Sequence, residues 1–233
     1  MININHITGV NTFNIEQGTD DWLRSRCGVI TASRVHEIIK PGRKKGSYSE
    51  ARRSYMNELI GQVATGLIPE QSSFKQAAHG HELEPVARGA YEASKFCVIT
   101  ECGLVYKDSS LRCAISPDGL NMDSEIGLEI KNPFTTKVHI DTLLYGEIKP
   151  EYITQCQFSM WVSGYKQWDF CSFDFRVRGN SSNRLCVIPQ FVDNEIHDKL
   201  EIEIPKFIAE MDEKLDRLGL SFGDQWIGGG SND

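Results

Sequence analysis

Three charged residues, Asp118, Glu129 and Lys131, are the strongest candidates for chemistry in this sequence. Residues 126–131 read as a β-strand, and side chains on a strand alternate between its two faces. Glu129 and Lys131 therefore project to one side, and Ile130 points the other way into the core. A hairpin with the preceding strand would bring Asp118 beside them. The spacing predicts two carboxylates and one ammonium at the end of a sheet.

This set of groups suits the hydrolysis of a phosphodiester. Carboxylate oxygens are preferred ligands of Mg²⁺, and one or two of them suffice when water and phosphate complete the octahedron. The bound metal lowers the pKa of a water molecule and offsets charge in the transition state. A nearby lysine can orient or deprotonate that water. The alternative is a surface hairpin with a solvated Glu–Lys pair, and these residues alone leave both interpretations open.

Two further groups of residues are weaker candidates. Glu84 lies in a predicted helix over 74–94 and could complete a second metal site, although a solvated helical glutamate is the simpler interpretation. Tyr152 and Gln155 are spaced to share one helical face, and a glutamine amide can hold a phosphate or a metal-bound water. His79 and His81 do not share a helical face, so we do not expect them to form a transition-metal site.

The segment 26–33 is a candidate anion site. It combines Arg26, hydroxyl groups and backbone amides just before a predicted helix. Helix N-termini and arginines both favour bound anions. An ordinary helix cap with a surface arginine is the simpler interpretation of the spacing alone.

Composition limits the classes of protein to consider. The formal net charge of −7 disfavours nonspecific coating of DNA, although an acidic protein can confine its DNA contacts to one groove. The seven cysteines include no C-x-x-C pair, so we expect reduced thiols in a cytoplasmic protein rather than a zinc or iron–sulfur site. The first residues lack the pattern of a signal peptide, and no apolar run approaches the roughly 20 residues of a membrane span.

The predicted elements describe an α/β protein, a mixed sheet with helices packed around it. We expect one domain over residues 1–226 and a disordered tail over 227–233. Pro85 is expected near a break or kink in its helix. The predicted helices cover about 19–27, 31–41, 49–65, 74–94, 151–163 and 195–218, and the predicted strands cover 104–106, 111–115, 126–131, 168–175 and 185–192.

Several motifs, in one order along nearly the whole chain, resemble the lambda-exonuclease-like nucleases of the YqaJ-type viral recombinase family. That family belongs to the PD-(D/E)XK nuclease superfamily, so the resemblance implies a restriction-endonuclease-like core. Seven stretches together are far more specific than the Glu-x-Lys spacing. They are residues 16–18 with Trp22, 28–33, 116–120, 127–131, 133–135, 155–162 and 222–226.

The resemblance implies a 5′→3′ exonuclease that acts on double-stranded DNA ends. It would release 5′-mononucleotides and leave 3′ single-stranded DNA for a single-strand annealing protein. It also implies a ring-shaped homotrimer of phage or prophage origin in the host cytoplasm. The basic loop at Arg43, Lys44 and Lys45, with Arg52 and Arg53, is a candidate to line the channel of such a ring, although a solvated surface loop is the simpler interpretation.

The resemblance also implies roles for individual residues. Asp118, Glu129 and the Ile130 carbonyl would bind one Mg²⁺, and Asp118 with Glu84 a second, with Mn²⁺ able to substitute. The remaining roles fall into three sets: Lys131 and Gln155 for the attacking water; Arg26, Thr31 and Ser33 for the 5′-phosphate; and Trp22, Ser116, Lys137 and Tyr152 for further DNA contacts. Lys137 replaces an arginine of the family, so a phosphate contact can survive there but bidentate geometry cannot.

Two other functions remain in competition. A restriction-like or resolving endonuclease would share the same catalytic residues, and a closed circular substrate would distinguish it. A noncatalytic module that binds DNA ends is disfavoured because Asp118, Glu129 and Lys131 are all present. An iron–sulfur exonuclease is disfavoured because the cysteine cluster that it needs is absent.

Overall fold

Seven helices are present in the part of the chain that the computed structural model describes, residues 11–44, 46–69 and 74–227, with side chains of 74–81 left out. Three of them begin at a residue whose side chain caps the helix. Thr19 caps the first helix by accepting a hydrogen bond from the Trp22 amide, and Ser49 caps the third through the Arg52 amide. The helices are α1 Asp20–Arg26, α2 Val35–Ile39, α3 Glu50–Thr65, α4 Phe74–Lys95, α5 Thr136–Tyr145, α6 Pro150–Ser163 and α7 Asn194–Arg217.

The strands of the described ranges form two sheets. The first has the order β1-β3-β2, in which β1 runs parallel to β3. The second has the order β4-β5-β6-β7, with β5 and β6 parallel and the other pairs antiparallel. The strands are β1 Ile30–Thr31, β2 Val105–Tyr106, β3 Cys113–Ile115, β4 Gly119–Asn121, β5 Ile126–Lys131, β6 Gln167–Phe173 and β7 Leu185–Phe191.

Strand β5 is covered on both faces. Leu128 and Ile130 belong to a buried cluster with Ala87 and Tyr91 of α4. The opposite face of the sheet packs against α6, where Phe170 stacks on Tyr152 with ring centroids 5.7 Å apart. In the strand register Phe170 is the partner of Glu129. Glu129 and Lys131 therefore face α6 while their neighbours anchor the strand to α4, as the predicted alternation requires.

The prediction of a hairpin between residues 111–115 and β5 is wrong. Strand β3 lies in the first sheet, and a separate short strand, β4, pairs with β5. Pro117 has no backbone N–H to continue a ladder, so the chain changes sheets there. Gly119 allows the close entry into the second sheet, because a Cβ at this position would lie 2.3 Å from Ile99 Cγ2.

Three helix predictions also need correction. Helix α4 continues through Pro85, without the expected break. The helix expected from Thr31 begins later, because Thr31 ends β1 and a 3₁₀ turn over Ala32–Arg34 precedes α2. Helix α5 was not predicted. It is rich in β-branched residues, which lower helix propensity, and its buried His139 and Thr142 show that packing supports it.

Among the described residues, no helix is both long and apolar enough to cross a membrane. The expectations for Lys45, for the side chains of His79 and His81 and for residues 228–233 lie outside the described part of the chain.

Candidate active site

A cavity of about 670 Å³ opens where β5 ends, between α4 and α6. Its lining includes Glu84, Asp118, Ile130, Lys131 and Tyr152. The structure thus brings together residues that the sequence places on a helix, a turn, a strand and a second helix. Glu129 lies at the same strand end but is only 3% exposed.

Asp118 is fastened directly to β5. Its carboxylate accepts a hydrogen bond from the backbone amide of Ile130, and its own amide donates to the Leu128 carbonyl at 3.3 Å. These contacts replace the expected hairpin as the means of bringing Asp118 beside Glu129 and Lys131. The predicted grouping is present, although the predicted route to it is wrong.

Three side chains form hydrogen bonds with the turn, residues 116–118, that carries Asp118. Trp22 Nε1 donates to Ser116 Oγ at 3.0 Å, and Gln17 Nε2 donates to the Pro117 carbonyl at 2.9 Å. Arg88 Nε donates to the Asp118 carbonyl at 2.9 Å. Three successive residues, Ser116 to Asp118, are therefore each bound by a different distant side chain.

Glu129 and Lys131 form an ion pair at the strand end. Burial raises the pKa of Glu129 to about 7, although Lys131 opposes the rise. Burial lowers the pKa of Lys131, but the charges of Glu129 and Asp118 outweigh it and raise that pKa above its usual range. The Lys131 ammonium also lies 5.0 Å from the centre of the Tyr152 ring. The Glu129 carboxylate is therefore paired with a lysine in a buried setting that disfavours its negative charge.

Glu84 faces the same centre from α4. Burial and the negative charge of Asp118 together raise the pKa of Glu84 to about 7, against the opposing influence of Arg88. Asp118 and Glu84 also raise the pKa of Glu129. Mutual effects of this kind mean that the three carboxylates lie within electrostatic reach of one another.

These donors fit a hard divalent cation better than a transition metal. Among the described residues, no group of three His, Cys, Asp or Glu side chains is arranged to hold a metal ion by itself. Mg²⁺ does not need such a group, because one or two carboxylates with water and phosphate complete its coordination. Asp118, Glu129, Glu84 and the Ile130 carbonyl supply only oxygen, which matches Mg²⁺ chemistry.

The loop after β5 forms another wall of the cavity and is held by one arginine. Arg176 donates to the carbonyls of Pro133 and Phe134 at 2.9 and 3.0 Å. Asp174 binds the same guanidinium through two hydrogen bonds of 2.8 Å. The hydrogen bonds from Arg176 and Thr136 outweigh burial and lower the pKa of Asp174 to about 2. The wall therefore depends on a buried, charged carboxylate.

A second cavity, of about 430 Å³, contains the residues expected to bind a phosphate. Arg26, Thr31 and Ser33 line it together with Trp22, which also lines the first cavity. The Arg26 guanidinium lies 4.1 Å from the Trp22 ring centre, and burial lowers its pKa. One expectation changes here: the Thr31 amide is not free, because it donates to the Tyr55 hydroxyl at 3.1 Å.

Two predicted site residues, Gln155 and Lys137, line neither the first nor the second cavity. Gln155 is on α6, partly exposed, and is not part of the cavity lining. The Lys137 side chain is 77% exposed and pairs with Asp141 of its own helix. Their roles stay predictions.

Sequence reasoning missed Arg88 and Gln17 as parts of the site. The spacing of Glu84 and Arg88 along one helix gave a readable signal, because such residues are neighbours on its surface. Gln17 lies in a stretch that carries the family resemblance, but nothing in its spacing indicates its contact with Pro117, which is 100 positions away.

Residues 21–166 match the YqaJ-like viral recombinase domain. The chain belongs to this family. A solved alkaline exonuclease from Laribacter hongkongensis is 33% identical to this family member, with a TM-score of 0.75 over 86% of this chain and 96% of that one. The same enzyme has also been solved in complex with dAMP.

Two other relatives extend the comparison. A phage-related exonuclease from Haemophilus somnus 129PT shares the fold at 16% identity, with a TM-score of 0.60 over 82% of this chain and 96% of that one. The putative uncharacterized protein ExoD of Escherichia coli K12 is 33% identical over 82 residues, which are 35% of this chain and 91% of that one. The predicted α/β fold of the PD-(D/E)XK type is confirmed.

Proposed function

We propose that this family member is a Mg²⁺-dependent 5′→3′ exonuclease that acts on the ends of double-stranded DNA. The observation that carries the proposal is the hydrogen bond that fastens Asp118 to Ile130, which brings Asp118 beside Lys131 in the first cavity and close to Glu129, the buried partner of Lys131. Support also comes from the alkaline exonuclease that shares this fold at 33% identity. The products are 5′-mononucleotides and a 3′ single strand, which a single-strand annealing protein then uses.

The residues in and around the first cavity have distinct roles in this proposal. Asp118, Glu129 and the Ile130 carbonyl hold one Mg²⁺, and Asp118 with Glu84 holds a second, with Mn²⁺ able to substitute. When bound, these ions activate a water molecule and offset charge on the phosphate. Lys131 gives up its pairing with Glu129 and turns its ammonium donors toward the water and the phosphate. Gln155 helps to orient the water from α6.

The second cavity recognises the DNA end. Arg26 and Ser33, with the Thr31 side chain, bind the terminal 5′-phosphate through charge-assisted hydrogen bonds. Trp22 lines both cavities, so the two cavities are neighbours. A terminal phosphate held in the second cavity would place the adjacent phosphodiester near the first, which would favour release of one nucleotide at a time. Ser116, Lys137 and Tyr152 provide further DNA contacts.

The working assembly is a homotrimer ring. A net charge of −7 opposes a long stay on DNA, and a closed ring around the duplex removes that difficulty. Arg43 and Lys44 are exposed and remain candidates to line the channel. Arg52 is not a candidate, because it is 2% exposed and its guanidinium binds Glu210 at 2.5 Å.

The test is digestion of linear duplex DNA labelled at either the 5′ or the 3′ end, with Mg²⁺ or with a chelator. Early release of the 5′ label as a mononucleotide, only with the metal, supports the proposal. Covalently closed circular DNA is the matched control and stays intact. Cutting of the circle would favour the alternative, a restriction-like or resolving endonuclease, and early release of the 3′ label would contradict the polarity.

A further inference from the structure

Arg88 makes three directed contacts from one buried guanidinium. The residue is 8% exposed and lies one turn after Glu84 on α4. Its Nε donates to the Asp118 carbonyl at 2.9 Å, and its Nη2 binds Glu84 Oε1 at 2.7 Å. The third nitrogen, Nη1, lies 2.8 Å from Glu101 Oε1. A planar fork with fixed donors holds its partners at set positions, which a flexible ammonium does not.

Two of these partners are the separate halves of one candidate cation site. Glu84 comes from α4, whereas Asp118 comes from the turn before β4. Arg88 joins the two through a single rigid group. The third partner differs, because the Glu101 side chain is 72% exposed and water competes with this ion pair.

We propose that Arg88 is a positioning residue that sets the separation and orientation of Glu84 and Asp118 for the second divalent cation. The inference rests on the proposed function, which assigns that cation to these carboxylates. Mg²⁺ demands near-ideal octahedral geometry, whereas Ca²⁺ accepts flexible coordination. Loss of the fork therefore weakens Mg²⁺ binding much more than Ca²⁺ binding.

The informative substitution is Arg88→Lys, because it keeps the positive charge and removes the fork. The charge near the cation is then unchanged, so any effect reports geometry. Residues that orient metal ligands typically change metal affinity by about 10- to 100-fold when altered. Arg88→Gln, which is neutral but still donates hydrogen bonds, is prepared in parallel in case the lysine variant does not fold. Glu101→Gln is the matched control, because it removes the negative charge of the exposed partner and leaves the contacts of Arg88 with Glu84 and Asp118 in place.

Calorimetric titration of Mg²⁺ and of Ca²⁺ into the full chain, together with DNA digestion over a range of Mg²⁺ concentrations, tests the inference. For Arg88→Lys we expect about a tenfold rise in the Mg²⁺ concentration needed to fill the second site. Digestion should recover at high Mg²⁺, and the affinity for Ca²⁺ should change less than the affinity for Mg²⁺. Arg88→Gln should also raise the Mg²⁺ requirement, and Glu101→Gln should behave like the native chain.

Equal losses of Mg²⁺ and Ca²⁺ binding would show a general structural role and overturn the inference. The inference would also be overturned if the native chain binds two cations and Arg88→Lys leaves both affinities unchanged. That result would not contradict the proposed function. A native chain that binds no second cation would overturn the inference together with the two-metal part of the proposed function.

Discussion

The backbone amide of Ile130 donates a hydrogen bond to the carboxylate of Asp118. This contact ties the turn before β4 to the strand that presents Glu129 and Lys131. In the proposed function, the same residue would also offer its carbonyl oxygen to a cation.

Asp118→Asn should reduce DNA cleavage by at least roughly 100-fold, because metal charge stabilisation contributes several kcal/mol to such reactions. The asparagine oxygen can still accept from Ile130, so the fold should survive. Cleavage rate, Mg²⁺ binding and thermal unfolding check this. Near-native digestion would remove Asp118 from the mechanism.

Lys131→Ala should abolish cleavage but leave Mg²⁺ binding largely intact at a pH well above 7. The pH matters because Lys131 opposes the rise in the pKa of Glu129, which is already about 7. Lys149→Ala is the matched control, since Lys149 lines the same cavity and also lies near Tyr152, at 5.4 Å from its ring centre. We expect the control to retain most activity. Equal losses of cleavage activity in Lys131→Ala and Lys149→Ala would mean that cleavage depends only on the positive charge in the cavity.

Duplexes with a 5′-phosphate should be degraded faster than duplexes with a 5′-hydroxyl, and Arg26→Ala should remove most of that difference. Arg34→Ala serves as the comparison, because Arg34 lines the same cavity but is engaged by Glu37 and Glu58. Initial rates on the two substrates measure the effect. If the native chain degrades both at one rate, the second cavity does not read the terminal phosphate.

A trimer is expected in solution, with a mass near three times that of the 26.3 kDa chain. Long duplexes should then be digested to completion even when excess competitor DNA is added after loading. Light scattering and a competitor trap provide the two measurements. A monomer at working concentration, or immediate arrest by the competitor, would refute the ring.

Acid should weaken the clamp formed by the ion pair of Asp174 and Arg176. The pKa of Asp174 is about 2 in the folded chain and about 3.9 in an unfolded one, so its stabilising contribution is complete above pH ~4 and is lost as the pH falls through about 2. Asp174→Asn should therefore lower the free energy of unfolding by about 1 to 2 kcal/mol more near pH 5 than near pH 2. Urea unfolding at several pH values measures this.

The control for the acid experiment is Asp123→Asn, which changes an exposed carboxylate in the turn between β4 and β5. Its effect on unfolding should not vary with pH in the same way. An Asp174→Asn effect that stays constant from pH 5 to pH 2 would contradict the stabilising role of the clamp.

Much of the fold followed from local signals. Capping residues and apolar spacing predicted α1, α3, α6 and α7 closely, and alternation predicted β5 with Ile130 in the core. The predictions that failed concern features that depend on residues distant in sequence. The division into two sheets, the support of α5 and the burial of Arg52 against Glu210 arise from tertiary contacts that no short window of sequence contains.

The candidate site divides in the same way. Residue type and spacing predicted Asp118, Glu129 and Lys131, because the strand period alone puts two of them on one face. Among the supporting residues, Arg88 had a readable spacing from Glu84, whereas the contacts that Trp22 and Gln17 make with the turn join segments far apart in sequence. Gln155 was predicted from its helical spacing as well as from the resemblance, and Lys137 from the resemblance alone. Neither lines the first cavity, and their roles stay predictions.

The three side chains that hold the Ser116–Asp118 turn also constrain when the centre can form. Trp22, Gln17 and Arg88 reach it from 94, 100 and 30 positions away along the chain. Contacts between such distant segments carry a loop-closure cost and are typically made late in folding. A nascent or partly folded chain therefore lacks an assembled centre, and whatever cutting it performs begins only once the N-terminal segment has docked.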